Sequence, residues 1–161
     1  MLFVFMGQSC TGKSAAASAL QKLTDAEVFT GKDYLRMGSS EHMAWQNFSN
    51  RLACAAGDKG TSKSVIYVLT ETNDLRRLSM ADDAVKVKFT ASIDTIRSRF
   101  ARRMNGNLPP PVGKMLDRQF EAWKDAEADL LIDTTEDYSE DHSPDDVARA
   151  VLDFASRQKC R

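Results

Sequence analysis

The sequence has no surplus of charge of either sign. Its 22 lysines and arginines are set against 23 aspartates and glutamates, a formal net charge of −1. A chain so balanced has no general attraction for nucleic acid or an anionic membrane surface, so neither is expected as a partner. Long apolar runs are also missing, and stretches such as Leu2–Met6 fall far short of the roughly 20 residues that a membrane-crossing helix needs. Leu2–Met6 has no basic leader either, so it is not read as a secretion signal. Cys10, Cys54 and Cys160 are odd in number and widely spaced, which argues against a disulfide framework and against a zinc site; a reducing cytoplasm is expected. The two histidines, His42 and His142, lie apart from every other chemistry-bearing cluster and are read as surface residues. Three of the four prolines are adjacent, at 109–111, so no proline-rich linker divides the chain. With 161 residues and no internal repeat, one domain over 1–161 is expected.

The organising stretch is at the start. Five apolar residues, Leu2–Met6, read as a buried strand, and Ala15-Ala16-Ala17-Ser18-Ala19-Leu20 as the opening of a helix. Between them Gly7-Gln8-Ser9-Cys10-Thr11-Gly12-Lys13-Ser14 fits G-x-x-x-x-G-K-[ST], the phosphate-binding loop. Gly7 and Gly12 allow the bend that turns backbone N–H groups onto an anion, and the helix behind them adds the positive end of its dipole. Lys13 then reaches the β- and γ-phosphates of ATP, and Ser14 offers its hydroxyl to Mg²⁺. Cys10, inside the loop, is read as a variable position, since nothing near it in sequence is a redox partner.

Further along, helix over 14–21 carries Ala16, Leu20 and Leu23 on one face, and 27–29 is a short strand. Asp33 falls just past that strand's C-terminal end. There a carboxylate either positions or deprotonates an acceptor hydroxyl or holds Mg²⁺ through water, or else caps the next helix; position alone leaves these open. Trp45, Phe48, Leu52 and Ala56 step along a helix face, and 57–62 is a loop. The continuous run 64–69 is a central parallel strand. It ends at Thr70-Glu71, where many phosphate-loop proteins have an aspartate for Mg²⁺, so the usual acidic partner is absent or replaced. A short helix begins at Asp74, and 84–89 is a fourth, alternating strand.

The next helix, opened by Ser92 or Asp94, places Ile93, Ile96, Phe100 and Met104 on one face and Arg99, Arg102 and Arg103 on another. It runs into Asn105-Gly106-Asn107-Leu108-Pro109-Pro110-Pro111, expected to be a non-helical, mobile excursion. Arginines on the stem of a closing flap suit phosphoryl transfer, where charge spreads over the moving group. Val112, Met115, Leu116, Phe120 and Trp123 line another helix, 130–133 is a fifth strand, and the loop at Thr134-Thr135 is expected to border the nucleotide base. Ser143-Pro144-Asp145-Asp146 is a strong helix start, and Val147, Val151, Phe154 and Ala155 bury the last helix.

Strands alternating with helices imply a parallel sheet covered on both faces. The order of parts resembles the small-molecule and nucleotide kinases of the phosphate-loop class, and most of all the gluconate kinase-like group, related to shikimate and adenylate kinases. Beyond the loop, the likeness rests on Ala91–Arg103, similar to that group's lid stem, and on Leu116-Asp117-Arg118-Gln119-Phe120-Glu121, similar to the segment after its lid. The resemblance implies an α/β fold with a five-stranded parallel sheet in order 2-3-1-4-5 and a small lid around 99–116. It implies ATP and Mg²⁺ held by Gly12, Lys13 and Ser14, Arg99 and Arg103 approaching the phosphates on lid closure, and Asp33 matching the acidic residue after strand two. Three departures fall in acceptor-facing or lid segments: Thr30-Gly31-Lys32-Asp33 for Asp-Gly-Asp, Gly106-Asn107-Leu108 for Gly-His-Phe, and Arg118 for a serine. They argue against gluconate itself and leave ATP binding untouched.

The expectation is therefore an ATP-dependent phosphotransferase acting on a hydroxyl of a small metabolite of sugar-acid or carbohydrate kind, as a monomer or homodimer. A nucleoside monophosphate kinase would use Arg36 with Arg76 or Arg77 on the acceptor phosphate. A regulatory domain would bind ATP without turnover. No Asn-Lys-x-Asp or Thr-Lys-x-Asp guanine signature occurs.

Overall fold

The computed structural model describes residues 1–57, 63–78, 83–136 and 143–159. Five strands, β1 (Leu2–Gly7), β2 (Glu27–Thr30), β3 (Val65–Leu69), β4 (Val85–Thr90) and β5 (Leu130–Asp133), form one sheet in the order β2-β3-β1-β4-β5. Every neighbouring pair is parallel, so all five C-terminal ends meet at one edge. Parallel pairing requires crossovers, supplied by α1 (Lys13–Thr24), α2 (Glu41–Gly57), α3 (Thr72–Arg76), α4 (Ile93–Arg103), α5 (Pro110–Trp123) and α6 (Pro144–Lys159), with a 3₁₀ turn at Asp33–Met37.

The period-two alternation of the strands builds two cores. Phe3, Phe5, Ile66, Val68, Val87 and Phe89 face α1 and α6, whose Ala16, Leu20, Val147 and Val151 complete that layer. Leu2, Val4, Met6, Val65, Tyr67 and Leu69 face the other way, against Phe48 and Leu52 of α2 and Trp123 of α5. On β4 the outward-alternating Lys88 donates to the carbonyls of Lys124 (2.8 Å) and Ala126 (3.2 Å), satisfying acceptors at the C-terminal end of α5. A capping box starts α6: Asp146 N donates to Ser143 Oγ (3.3 Å) and Ser143 N to Asp146 Oδ2 (3.2 Å).

Several expectations are corrected. Leu23 is half-exposed, because α1 turns Ala16, Ala17, Ala19 and Leu20 inward instead. The buried stripe of α2 is Ala44, Phe48, Leu52 and Ala55; Trp45 is only half-buried, between Tyr34 and the Arg77 guanidinium 4.0 Å from its ring centre. The short helix starts at Thr72 rather than Asp74. On α4 only Ile96 is fully buried and Met104 is 41% exposed, because this helix packs chiefly on α5. Most consequential, only part of the expected excursion is non-helical: 105–109 is, whereas its last two prolines begin a helix. Pro110 and Pro111 are the first two residues of α5, where a missing N–H leaves no bond unmade. Asn105 (φ 57°) and Gly106 (φ 88°) turn the chain back, so α4 and α5 form a hairpin over the sheet edge. Its own small core joins Ile96, Leu116 and Ala91 with Cys10 of the phosphate loop, and Arg97 Nη2 grips both oxygens of Asp117 (2.6 and 2.8 Å). Apart from Gly57, which ends α2, the loop over 57–62 lies outside the described residues, as do Cys160 and His142. Among the described residues no helix is long and apolar enough to cross a membrane.

Candidate active site

β1 ends at Gly7 in a seat that admits no side chain: φ is 139°, and a Cβ would lie 2.1 Å from the carbonyl oxygen of Phe89 on β4. The chain then curls through Cys10 (φ 61°) and Gly12 (φ 87°), both left-handed, and enters α1 at Lys13. The curl leaves a run of backbone donors at the positive end of the helix. Among the described residues, none of the N–H groups of residues 10–15 donates to a protein acceptor. They border a cavity of about 210 Å³ that also includes Thr30, Val68, Thr70, Phe100 and Arg103.

Lys13 lies across this loop, 5% exposed. Its ammonium donates to the carbonyl of Gly7 (2.9 Å), to that of Gln8, and to Thr11 Oγ1 (3.4 Å). Burial draws its pKa down from 10.5 to about 8; the Cys10 thiol opposes this and the Arg103 charge adds to it. Thr11 Oγ1 in turn donates to Gln8 O (2.9 Å). Ser14 stands exposed at the mouth of the loop.

Arg99 and Arg103 come from α4. Arg99 donates through Nη1 to Cys10 O (3.2 Å) and Thr134 Oγ1 (3.1 Å), and through Nη2 to Thr134 O, so it pins the phosphate loop to the loop after β5. Arg103 is exposed on the cavity rim. Thr134 is buried, its hydroxyl within reach of the carbonyls of Thr11 (3.1 Å) and Thr90 (3.2 Å). Thr135 is exposed; its Oγ1 accepts from Ser92 N (2.9 Å) and donates to Asp133 Oδ1 (2.6 Å). It borders a shallow depression of about 270 Å³ with Asp94, Thr95, Ser98, Arg99 and Arg102.

Asp33 is exposed and lines neither cavity. Its Oδ2 accepts from Thr30 N (2.9 Å), closing the turn after β2. Arg77 is committed to the fold: it stacks on Trp45, donates to Tyr34 Oη (3.1 Å) and faces Glu41 at 3.8 Å. Arg36 lies over the Phe29 ring, 5.8 Å from its centre. Tyr67, whose hydroxyl is pushed up by burial, donates to Gly31 O (3.0 Å) and holds the same turn.

Sequence reasoning missed a second cavity of about 310 Å³ between the end of β3 and α5, with Thr70, Glu71, Arg118, Gln119 and Trp123 on its wall. Gln119 ties it to the phosphate loop: its Oε1 accepts from Ser9 N (3.3 Å) and Ser9 Oγ (2.9 Å), and its Nε2 donates to Glu71 Oε1 (2.8 Å). The signal was present. Leu116, Gln119 and Trp123 share one buried face of α5, and a glutamine on such a face needs partners.

The five-stranded parallel sheet in this order, with the phosphate loop between β1 and α1, is the fold this chain shares with solved structures of a gluconokinase and a shikimate kinase. No family model matches the sequence, and no curated protein matches it. Among solved structures, a gluconokinase from Sinorhizobium meliloti superposes with a TM-score of 0.59 at 15% identity, over 97% of this chain and 91% of that one. Shikimate kinase from Acinetobacter baumannii, in complex with shikimate, gives 0.61 at 15% identity over 99% and 95%. YorR from Bacillus subtilis, in complex with phosphorylated GDP, gives 0.59 at 21% identity over 100% and 99%.

Proposed function

We propose that this chain is an ATP-dependent kinase that transfers the γ-phosphoryl group to a hydroxyl of a small metabolite of sugar-acid or carbohydrate kind. The observation that carries this reading is the run of N–H groups at residues 10–15 that meet no protein acceptor among the described residues, with Lys13 behind it, Arg103 of α4 on the cavity rim and Arg99 of α4 on the carbonyl of Cys10. An anion of high charge satisfies the N–H groups, Lys13 and Arg103 together.

In this reading the polyphosphate lies on residues 7–14, and Lys13 exchanges the carbonyls of Gly7 and Gln8 for β- and γ-oxygens. Among the described residues no group of three or more His, Cys, Asp or Glu is placed to hold a metal. Mg²⁺ would therefore be held largely by the phosphates, with the Ser14 hydroxyl, and would neutralise charge on the transferring group. Arg103 neutralises the same charge from the rim, while Arg99, already on Cys10 O, keeps the loop and the base-side loop together. The nucleotide base would lie in the depression beside Thr135, with Thr134 as its buried support. A nucleoside monophosphate kinase is the weaker reading, because Arg77 is already stacked and hydrogen-bonded within the fold.

The test is ADP release with Mg-ATP and a panel of acceptors: gluconate, glycerate, shikimate and ribose against AMP, GMP, UMP and CMP. A sugar acid or sugar is expected to stimulate release, and Lys13→Ala to lower kcat by about 100-fold or more while the melting temperature holds. ATP binding without stimulation by any acceptor would leave a regulatory domain; full activity of Lys13→Ala would remove the loop from the mechanism.

A further inference from the structure

We propose that Glu71, and not Asp33, is the carboxylate that meets the acceptor hydroxyl, and that Gln119 is the positioning residue that ties it to the phosphate loop. The inference rests on the kinase reading above and names the acceptor side of that site.

Topology makes the first argument. β3 is the immediate neighbour of β1, in register Met6 to Leu69, so the residues after Leu69 leave the sheet beside the phosphate loop. β2 is one strand further out, about 10 Å from β1 at twice the spacing of neighbouring strands, and although its last residue, Thr30, reaches the loop cavity, Asp33 lines neither that cavity nor the second one. Thr70 lines both the loop cavity and the second cavity, so the two are joined at the end of β3. An acceptor in the second cavity therefore lies next to the phosphates.

Hydrogen bonding makes the second. Glu71 Oε1 is held by Gln119 Nε2 (2.8 Å), and Gln119 Oε1 is held in turn by Ser9 of the loop. Three hydrogen bonds, all through Gln119, thus connect the carboxylate to the phosphate cradle. Trp123 Nε1 donates to Thr70 O (2.8 Å) and fixes the backbone just before Glu71. Glu71 Oε2 has no partner among the described residues, and no lysine or arginine among them pairs with it. Asp33, by contrast, closes its own turn through Thr30 N. Arg118 of α5, which lines the same cavity as Glu71, gives it a cation for an anionic substituent of the acceptor.

The step balances without a further reagent. The acceptor oxygen forms a bond to the γ-phosphorus, the bond from that phosphorus to the β–γ bridging oxygen breaks, and ADP leaves with the electron pair. The hydroxyl proton passes to Glu71 Oε2 and from there to water as the phosphorylated product departs.

The experiment uses the panel compound that gives the largest ADP release, with two readouts. Glu71→Gln should lower kcat by about 100-fold or more, and Asp33→Asn by no more than about threefold, with melting temperatures held. The second readout is binding. The chain has two tryptophans, so Trp45→Phe leaves Trp123, on the cavity wall, as the sole emitter under tryptophan-selective excitation. Titrating the same compound with MgADP present should change Trp123 emission, and Glu71→Gln in that background should keep the affinity within about threefold, as expected of a group that acts in the chemical step. Gln119→Met should lower kcat by about tenfold with MgADP affinity unchanged. Glu71→Gln with near-normal kcat, Asp33→Asn with the larger loss, or a titration that leaves Trp123 silent would each overturn the inference while the kinase reading stands. A wild-type chain that no panel compound stimulates overturns both.

Discussion

At the scale of single residues, Lys13 has the most altered environment. In the folded protein it gives up its proton through about pH 8, whereas the unfolded chain keeps it to 10.5. Between those values the unfolded state binds more protons, so stability rises with pH there, and below about 8 the buried ammonium is a cost. A polyphosphate against Nζ favours the charged form and returns the pKa upward. MgADP affinity, measured by titration calorimetry from about pH 7 to about 9.5, is therefore expected to weaken above pH 8, by at most about tenfold per pH unit. Proton uptake should accompany binding in that range, and an affinity flat across it would refute the placement of Lys13 on the phosphates. The loop motif was fully legible as a pattern. That Lys13 donates to the carbonyls of Gly7 and Gln8 was not, because those contacts depend on how tightly the curl closes. Asp33 shows the same limit: position put it at the functional edge, and the bond it makes to Thr30 N belongs to its rotamer.

At the scale of elements, β1 and the α4–α5 hairpin carry the site. β1 was readable from five apolar residues, and its end depends on one glycine. Gly7→Ala drives a Cβ toward Phe89 O at 2.1 Å and must push β1 from β4 where they pair, Gly7 opposite Phe89. A loss of about 2–4 kcal/mol is expected in urea unfolding, with the midpoint lowered; a loss under about 1 kcal/mol would mean that β4 simply gives way. The connection over 105–109 is non-helical as expected, and only its end was misread, for a definite reason. Three prolines in a row cannot sit inside a helix, but the first turn of a helix has no N–H bonds to lose, so Pro110 and Pro111 open α5. A spacing rule scores each residue by type, whereas the outcome turned on its distance from the helix start.

At the scale of the molecule, both cores are buried by helices that cross the sheet, and the phosphate loop hangs between them on β1 and α1. A ligand that fills the loop should stabilise the whole cooperative unit. With MgADP at about 100 times its dissociation constant, stabilisation of about 2.7 kcal/mol is expected, a rise in melting temperature of roughly 5–10 °C. Lys13→Ala should abolish most of that rise, and no shift at millimolar MgADP would exclude a nucleotide site.

What the sequence determined by itself is whatever depends on neighbours along the chain. Alternation and apolar runs specified the strands, i and i+4 spacing the helices, and Gly-x-x-x-x-Gly-Lys-Ser the anion cradle. Tertiary structure alone decided what meets across the chain. Gln119 touches Ser9 from 110 residues away, and Arg99 reaches Cys10 across 89. Such partnerships follow from strand order and helix docking, which place distant segments at one edge of the sheet, and no local pattern encodes them.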